Sequence, residues 1–286
     1  MPHTTERSVE GLVIVITGAS DGIGAVAARR LHERGATVVP VGRSPEKTAR
    51  VADALGVDGL TADFSSLGQV RDLALRLRER CPRIDVLANN AGGVFNEGRR
   101  ITDDGHELTF QVNHLAPYLL TRLLEGRIAA APRARVLQTA SAGNLLGRIR
   151  PAHLDGTTGR HRDYGAYCTA KLLNVVFTRG LRAHYATAGI DATVASFHPG
   201  VVTSSFGRDS AIAGAFYRGP VRRLFHTPEQ GAEPLVRLAT HPDDAAIDGR
   251  YFHRGRADGP LHRQGRDDAL ARLVWDRSAA MVGLPA

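Results

Sequence analysis

The sequence predicts an α/β fold in which helices cover both faces of a mostly parallel sheet. Short β-branched runs such as Leu12–Thr17 show no alternation of apolar and polar residues, which is typical of parallel strands buried on both faces. Stretches of helix length follow these runs, so strands and helices alternate along the chain. The first strand also leads directly into a glycine-rich turn and a helix. We therefore expect a Rossmann-type, doubly wound sheet of about seven strands.

Each element is predicted from its own pattern. The helix at Gln69–Arg80 places Val70, Leu73 and Leu77 on one face, and Thr227-Pro-Glu is a typical helix start with proline at the first helical position. The predicted strands are Leu12–Thr17, Thr37–Gly42, Val57–Thr61, Ile84–Ala88, Arg135–Ala140, Asp191–Phe197 and Gly249–Phe252. The other predicted helices are Ala25–Arg34, Arg50–Leu55, Gly105–Leu124, the segment around Tyr167, and Ala269–Val282.

Composition excludes several classes of protein. The chain has 286 residues, of which 43% are hydrophobic and 23% are charged, as in an ordinary globular protein. No apolar run approaches the roughly 20 residues of a membrane span, and Met1–Glu10 lacks a signal-peptide core. Two cysteines, Cys81 and Cys168, form neither a disulfide framework nor a metal site. We therefore expect a cytoplasmic protein with no metal and no membrane span.

The net positive charge of the chain does not indicate nucleic-acid binding. The formal net charge is +8 and the pI is near 10.1, but the arginines are scattered and interleaved with apolar helix positions. An anionic cofactor and a general preference for arginine explain the charge. Only Lys47 and Lys171 are lysines.

The turn after the first strand has the context of a dinucleotide-binding site. One glycine permits a tight turn, one lets the backbone approach a pyrophosphate, and one lets the helix pack on the strand, while the N-terminus of the helix offers free N–H groups. The spacing is GxxxGxG, which departs from the general GxGxxG pattern, and a purely structural turn is the alternative. The predicted cofactor contacts in this turn are Gly18, Ser20, Asp21, Gly22, Ile23 and Gly24.

The end of the second strand favours NADP(H) over NAD(H). A NAD site has an acidic residue about 20 residues beyond the glycine turn, where it holds the ribose hydroxyls. This chain has Gly42 and then Arg43 and Ser44, and an arginine pairs well with a 2′-phosphate. If Arg43 only caps a loop, dual specificity is the alternative. Further cofactor contacts are predicted after later strands, at Asp63, Phe64, Asn90, Ala91, Gly92, Pro199, Gly200 and Val202.

Four residues are candidates for proton chemistry. Tyr167 and Lys171 are four apart, so on a helix they share a face, where a lysine ammonium would favour the phenolate of the tyrosine. A surface Tyr–Lys pair is the alternative for this spacing alone. Ser141 lies just beyond a strand, at the edge where ligands of open sheets bind. Asn113, in the middle of a helix, needs a reason to be there and could hold a water or a carbonyl; a solvent-facing asparagine is the alternative.

A lid is predicted over residues 204–226. Phe206, Phe216, Tyr217 and Phe225 are mixed there with glycines and arginines, which suits a mobile cover over an apolar substrate. A surface loop with a short helix is the alternative. With no repeat or linker visible, we expect residues 1–286 to form one NAD(P)-binding domain with a flexible start over residues 1–10.

These motifs together resemble the short-chain dehydrogenase/reductase family over essentially the whole chain. The resemblance rests on the glycine turn Thr17–Gly24, on Asn89–Gly92, and on Asn113, Ser141, Tyr167, Lys171 and Pro199-Gly200. The His198-Pro-Gly stretch, the Thr227 helix start and the Gly249–Phe252 strand are similar to the retinol-dehydrogenase-like branch. Members of that branch often carry an N-terminal membrane anchor, and we expect none here, because Met1–Glu10 is polar.

The resemblance implies a role for each residue. Tyr167 would be the general acid in reduction and the base in oxidation, and Lys171 would lower the pKa of Tyr167 and hold the nicotinamide ribose. Ser141 would bind the substrate oxygen, and Asn113 would position a water that joins Lys171 to solvent. The expected activity is hydride transfer between NADP(H) and a fairly apolar alcohol, ketone or aldehyde. An epimerase or dehydratase, and a non-catalytic NADP-sensing or scaffold protein, are the alternatives; a homodimer, a homotetramer and a monomer all stay open.

Overall fold

An eight-stranded sheet forms the centre of the computed structural model, which describes residues 6–200, 202 and 226–286. The strand order is β3-β2-β1-β4-β5-β6-β7-β8, and every pair is parallel except the last. The order reverses between β1 and β4, which is the point where ligands of doubly wound sheets bind. The strands are β1 Val13–Thr17, β2 Thr37–Gly42, β3 Leu60–Thr61, β4 Val86–Asn89, β5 Ala134–Thr139, β6 Ala192–His198, β7 Tyr251–His253 and β8 Arg256–Ala257.

Helices lie on both faces of this sheet and enclose two apolar cores. The core on one face includes residues of α3, α5, α7 and α9, and the core on the other includes α1 and α8. The described helices are α1 Gly22–His32, α2 Pro45–Leu55, α3 Leu67–Arg80, α4 Leu108–Phe110, α5 Ala116–Leu123, α6 Glu125–Ala129, α7 Asp163–Ala188, α8 Pro228–Ala239 and α9 Asp268–Met281. The predicted fold class is confirmed.

The structure corrects several predicted boundaries. Seven parallel strands are joined by an antiparallel β8, which is only two residues long and therefore gave no sequence signal. Helix α2 begins at Pro45 because the Ser44 side chain accepts a hydrogen bond from the Lys47 N–H and caps it. The long helix predicted to begin at Gly105 begins instead at Leu108, where Glu107 is the capping residue.

Residues Leu172–Phe177 of helix α7 are all buried because two layers of the same chain cover them. One side packs on β5 and β6, and the other packs on α9, where Trp275 stacks on Phe177 with ring centroids 6.1 Å apart. Tyr118 of α5 meets the edge of the same tryptophan at 5.0 Å. The apolar side chains in the middle of α7 are therefore buried within the fold.

The two chain segments predicted to be mobile are only partly described. Residues 6–10 contact the fold: Val9 is buried, and the Arg7 N–H donates to the Thr240 carbonyl at 2.8 Å. Residues 1–5 and nearly all of the predicted lid, residues 203–225, lie outside the described part of the chain. Among the described helices, none is both long and apolar enough to cross a membrane.

Candidate active site

The glycine turn after β1 has no room for a side chain at Gly18 or Gly24. Gly18 and Gly22 have positive φ angles of 67° and 56°, which favour glycine. A Cβ atom on Gly24 would lie 2.3 Å from the Gly18 carbonyl oxygen, so only glycine lets the helix pack this closely. Asp21 is the capping residue of α1, and its side chain accepts a hydrogen bond from the Gly22 N–H at 2.7 Å. The turn therefore leads the chain tightly into the N-terminus of α1, a ready site for phosphate.

Asn90 ties the ends of three neighbouring strands together. Its Nδ2 donates to the Thr17 carbonyl at 3.0 Å, and its Oδ1 accepts from the Thr139 hydroxyl at 3.2 Å. The Thr17 hydroxyl in turn accepts from the N–H groups of Asn90 and Ala91, both at 3.0 Å. These bonds fix the crevice between β1, β4 and β5. Thr17 was not among the predicted site residues, although its place at the end of β1 was visible in the sequence.

The end of β2 has no room for an acidic side chain at Gly42. A Cβ atom there would lie 2.2 Å from the Thr48 hydroxyl and 2.6 Å from the Cβ of Ser20. Arg43 follows, exposed, and within the described part of the chain its side chain has no hydrogen bond or ion pair. Ser44 is half-buried and caps α2. The Arg43 guanidinium therefore lies next to the glycine turn without a hydrogen bond or ion pair to another described residue.

The remaining predicted cofactor residues line the same edge of the sheet or its neighbourhood. Asp63 holds Ser65 through its Oδ1, which accepts from the Ser65 N–H at 2.9 Å and the Ser65 hydroxyl at 2.8 Å. Phe64 is buried in the core. Gly200 has a φ of 91°, and a Cβ atom there would collide with His226.

Ile23 and Val202 meet at α8 although they are far apart in the chain. A Cβ atom on Gly231 would lie 2.6 Å from Val202 and 3.0 Å from Ile23. Because Gly231 has no side chain, the segment after Pro199 can approach the start of α1. The structure thus brings these two predicted cofactor residues together.

Tyr167 and Lys171 share one face of α7, as their spacing predicts. The Lys171 Nζ lies 5.6 Å from the centre of the Tyr167 ring, and both residues are buried. Lys171 donates to the Thr139 carbonyl at 3.1 Å, which ties the helix to the end of β5. Tyr167 and Ser141 are joined by a side-chain hydrogen bond. A phenol, a hydroxyl and an ammonium therefore lie side by side at the carboxyl edge of the sheet.

In the protein without a cofactor, burial has the largest effect on the pKa values of Tyr167 and Lys171. It raises the pKa of the Tyr167 phenol well above its usual value, although the hydrogen bond with Ser141 lowers that pKa in part. Burial also lowers the pKa of Lys171 to about 7. In the protein alone burial therefore sets the direction of the Tyr167 pKa, and the lowering of that pKa by Lys171 stays a prediction.

Asn113 sits in a π-helical turn, Gln111–Leu115, between α4 and α5. Its Nδ2 donates to the carbonyls of Gly93 and Thr109, both at 3.0 Å, and its Oδ1 accepts from the Gly93 N–H at 3.1 Å. A Cβ atom on Gly92 would lie 2.5 Å from the Asn113 Oδ1 and 3.0 Å from the Lys171 Nζ. Asn113 is therefore fully buried next to Lys171 and not solvent-facing, and π-turns of this kind are frequent at functional sites.

Ser141 begins the loop that follows β5. Its Oγ accepts from the Gly143 N–H at 3.1 Å and caps a short 3₁₀ helix at Ala142–Leu146. This short helix presents Leu145 and Leu146 to solvent, with 43% and 72% of their surface exposed. The loop thus combines a hydroxyl fixed beside Tyr167 with exposed apolar side chains.

Asn174 belongs with these residues but was not among the predictions. It lies one turn beyond Lys171 on α7, is 2% exposed, and donates through Nδ2 to the same Thr139 carbonyl at 3.1 Å. The signal was available: Asn174 is the single polar residue in the apolar run Leu172–Phe177 and shares the helix face of Tyr167 and Lys171.

A cavity of about 350 Å³ opens on the other face of α7. Its lining includes Ala166, Ala170 and Leu173 of α7 together with Arg148 and Arg150 of the loop after β5. Neither Tyr167 nor Lys171 is among its lining residues, whereas Leu146, in the loop that begins at Ser141, is one of them.

The protein thus has an α/β fold, with a dinucleotide-binding type of glycine turn and a buried Tyr167–Lys171 pair at the carboxyl edge of its sheet. The profile of the family described as short chain dehydrogenase matches residues 12–212. The chain belongs to the short-chain dehydrogenase family, and its relatives place it in the retinol-dehydrogenase-like branch.

Three known proteins illustrate this membership. A Streptomyces protein assigned as a daunorubicin C-13 ketoreductase is 40% identical over 98% of this chain and 96% of its own length. Human retinol dehydrogenase 13 is 33% identical over 99% of this chain and 88% of its own length. A Beutenbergia cavernae protein assigned as an NAD(P)-dependent gluconate 5-dehydrogenase, whose crystal structure holds NADP at low occupancy, is 26% identical. That structure has a TM-score of 0.66 and covers 86% of this chain and 96% of its own.

Proposed function

We propose that this protein is an NADP(H)-dependent oxidoreductase that transfers a hydride between the nicotinamide and a fairly apolar alcohol or carbonyl compound. The observation that carries the proposal is the group formed by buried Tyr167 and Lys171 with half-buried Ser141, at the edge of the sheet that also holds the glycine turn. A protein that only bound nucleotide would not require a phenol and an ammonium buried together at this place.

The residues at the glycine turn fit a dinucleotide. The crowding at Gly24 and the positive φ angles of Gly18 and Gly22 require glycine at these positions. Backbone atoms and not side chains therefore line the turn at the N-terminus of α1. Two features favour a 2′-phosphate over free ribose hydroxyls: a Cβ atom would collide at Gly42, and the Arg43 side chain has no partner among the described residues. In this proposal Asp63, Phe64, Asn90, Ala91 and Gly92, and further along Pro199, Gly200 and Val202, line the rest of the cofactor site.

The protein's own residues would handle the proton and the developing charge. When bound, the nicotinamide supplies the hydride chemistry. Tyr167 would give its proton to the carbonyl oxygen in reduction and take it from the alcohol in oxidation. Ser141 would hydrogen-bond the same oxygen, and Lys171 would favour the phenolate and hold the ribose. Asn113 would hold a water beside Lys171 with the free lone pair of its Oδ1. Burial raises the pKa of Tyr167, and the positive charges of Lys171 and of the oxidised cofactor would both favour its phenolate.

An apolar substrate is supported by the surroundings of the candidate site. Leu145 and Leu146 are exposed beside Ser141, and Tyr164, one turn before Tyr167, is 58% exposed. The relatives' names describe a ketone reduction and an alcohol oxidation, which are the two directions of one reaction. We therefore propose an apolar ketone, aldehyde or alcohol as the substrate class.

A change at Arg43 tests the cofactor assignment. We expect Arg43→Gln to weaken NADPH binding about tenfold, because a partly exposed, charge-assisted contact with the 2′-phosphate is lost. NADH binding should change less than about twofold. Titrations followed by nucleotide fluorescence measure both affinities, and Arg76→Gln, an exposed arginine on α3, is the matched control. Equal weakening of both nucleotides would show that Arg43 does not face the ribose.

We also propose that the protein works in a reducing compartment, the cytoplasm. Cys81 and Cys168 are both buried and free, which suits an environment that keeps thiols reduced. Non-reducing mass spectrometry of protein taken from cells should therefore find two free thiols.

A further inference from the structure

Three polar side chains lie in register beneath α7. Asn89 of β4 pairs with Gln138 of β5, and Gln138 pairs with Ser196 of β6. The residue two positions earlier on each strand belongs to the apolar core that includes α7, and alternate residues of a strand point to the same face. The three side chains therefore form one polar row on the face that α7 covers.

This polar row and Asn174 above it carry five buried polar atoms without a partner in the described structure. They are the Oδ1 of Asn89, both amide atoms of Gln138, the Oγ of Ser196 and the Oδ1 of Asn174. All four residues are at most 2% exposed. Leaving so many buried polar atoms unpaired would cost a large share of the stability of a typical domain.

Water is the ligand that fits these atoms. The two Oδ1 atoms can only accept a hydrogen bond, the Gln138 amide both donates and accepts, and the serine hydroxyl does either. A partner must therefore donate to some atoms and accept from others at short range. Buried waters typically make about three such bonds and are a regular part of protein interiors.

We propose that the polar row and Asn174 hold a cluster of ordered water beneath Lys171, and that Asn174 and Gln138 are positioning residues for the Tyr167–Lys171 pair. The role in the pair rests on the proposed function, whereas the water site does not. Asn174 and Lys171 donate to one carbonyl, that of Thr139, each at 3.1 Å, and Thr139 directly follows Gln138. A water on the Asn174 Oδ1 holds the amide with its Nδ2 toward that carbonyl.

The water cluster matters because, among the described residues, Lys171 has no anionic partner to offset its burial. Burial is the cause that lowers the pKa of Lys171 to about 7. In the described part of the chain the titratable groups that act on Tyr167 are Tyr164 and Cys168 on α7 and Tyr251 on β7, all neutral in their usual state, and Asn113 carries no charge. Water held beneath the lysine is then the main source of solvation for its ammonium.

The presence of only two lysines makes a direct test practicable. Protein labelled with ¹³C at the lysine Cε gives two NMR signals, and Lys47→Arg identifies the signal of Lys171. We expect Asn174→Leu and Gln138→Leu to lower the titration midpoint of Lys171 by about one pH unit, because the water is displaced. Asn174→Asp should raise it. Thr193→Val, a change from polar to apolar on the opposite face of β6, should leave it unchanged.

Unchanged midpoints in folded Asn174→Leu and Gln138→Leu protein would overturn the proposal. If either leucine variant fails to fold, a high-resolution crystal structure of the wild type decides: density for water bonded to Gln138 and Asn174 supports the cluster, and its absence refutes it. The NMR measurement needs neither nucleotide nor substrate. A wrong proposed function would appear as undiminished turnover after Tyr167→Phe, so the two failures are distinguishable.

Discussion

Tyr167→Phe is expected to lower kcat by about 10²- to 10⁴-fold, the usual contribution of a general acid or base. The phenol is the group at the candidate site that can exchange a proton with a substrate oxygen while bonded to Ser141. The ring that lies against Lys171 is kept, so NADPH affinity should stay nearly the same. Steady-state turnover of an apolar ketone and a fluorescence titration of NADPH measure the two quantities.

Tyr164→Phe is the matched control for that prediction. Tyr164 lies one turn earlier on α7, and its ring stacks on that of Tyr167 with centroids 6.0 Å apart. It is exposed, so removing its hydroxyl should change turnover little. Undiminished activity in Tyr167→Phe would show that another group handles the proton. A wild-type protein that binds NADPH but turns over no carbonyl compound would favour the sensing or scaffold alternative.

Lys171→Met should abolish most of the activity without destabilising the protein at neutral pH. The charge that favours the phenolate is lost, and we expect kcat to fall about 10²-fold or more. The Thr139 carbonyl keeps the hydrogen bond from Asn174 after the change, so no acceptor is left unpaired. The buried ammonium, which is costly to hold, is removed. The melting temperature of the variant near pH 7 should therefore equal or exceed that of the wild type.

The same variant should reveal how Lys171 makes stability depend on pH. The pKa of Lys171 is about 7 in the folded protein and near 10.4 in an unfolded chain. Between these values the unfolded state binds more protons, so wild-type stability rises with pH. Any advantage of Lys171→Met should thus be greatest below about pH 7 and shrink as the pH approaches 10. Arg76→Met, exposed on α3, should show neither the loss of activity nor this pH dependence. A melting temperature for Lys171→Met that falls well below the wild type at every pH would contradict the account.

The parts of the site set by local periodicity were predictable. The spacing of Tyr167 and Lys171 puts them on one face of any helix, and parallel strands place Ser141 and Asn90 at a shared edge. At Gly24 and Gly42 the sequence showed only that the residue is glycine, and not that crowding requires it. Its cause, contacts with Gly18 and Thr48, depends on how separate segments meet.

Features that depend on contacts between distant segments were not predictable. The π-helical turn at Asn113 is held by Gly93, 20 residues earlier, and nothing in the local pattern distinguishes it from an α-helix. The direction of the Tyr167 pKa depends on burial by elements from across the chain, whereas spacing alone suggested the influence of Lys171. Asn174 was missed because its partner, the Thr139 carbonyl, is a backbone atom with no sequence signature.

One fluorescence record tests the central claim most directly. NADPH is titrated into the purified wild-type protein, NADH is titrated in parallel, and an apolar ketone or aldehyde is then added to the NADPH sample. We expect saturable binding with NADPH at least about tenfold tighter than NADH, followed by decay of the nucleotide signal as the substrate is reduced. Binding of neither nucleotide, or bound NADPH that no apolar carbonyl compound oxidises, would contradict the proposed NADP(H)-dependent oxidoreductase.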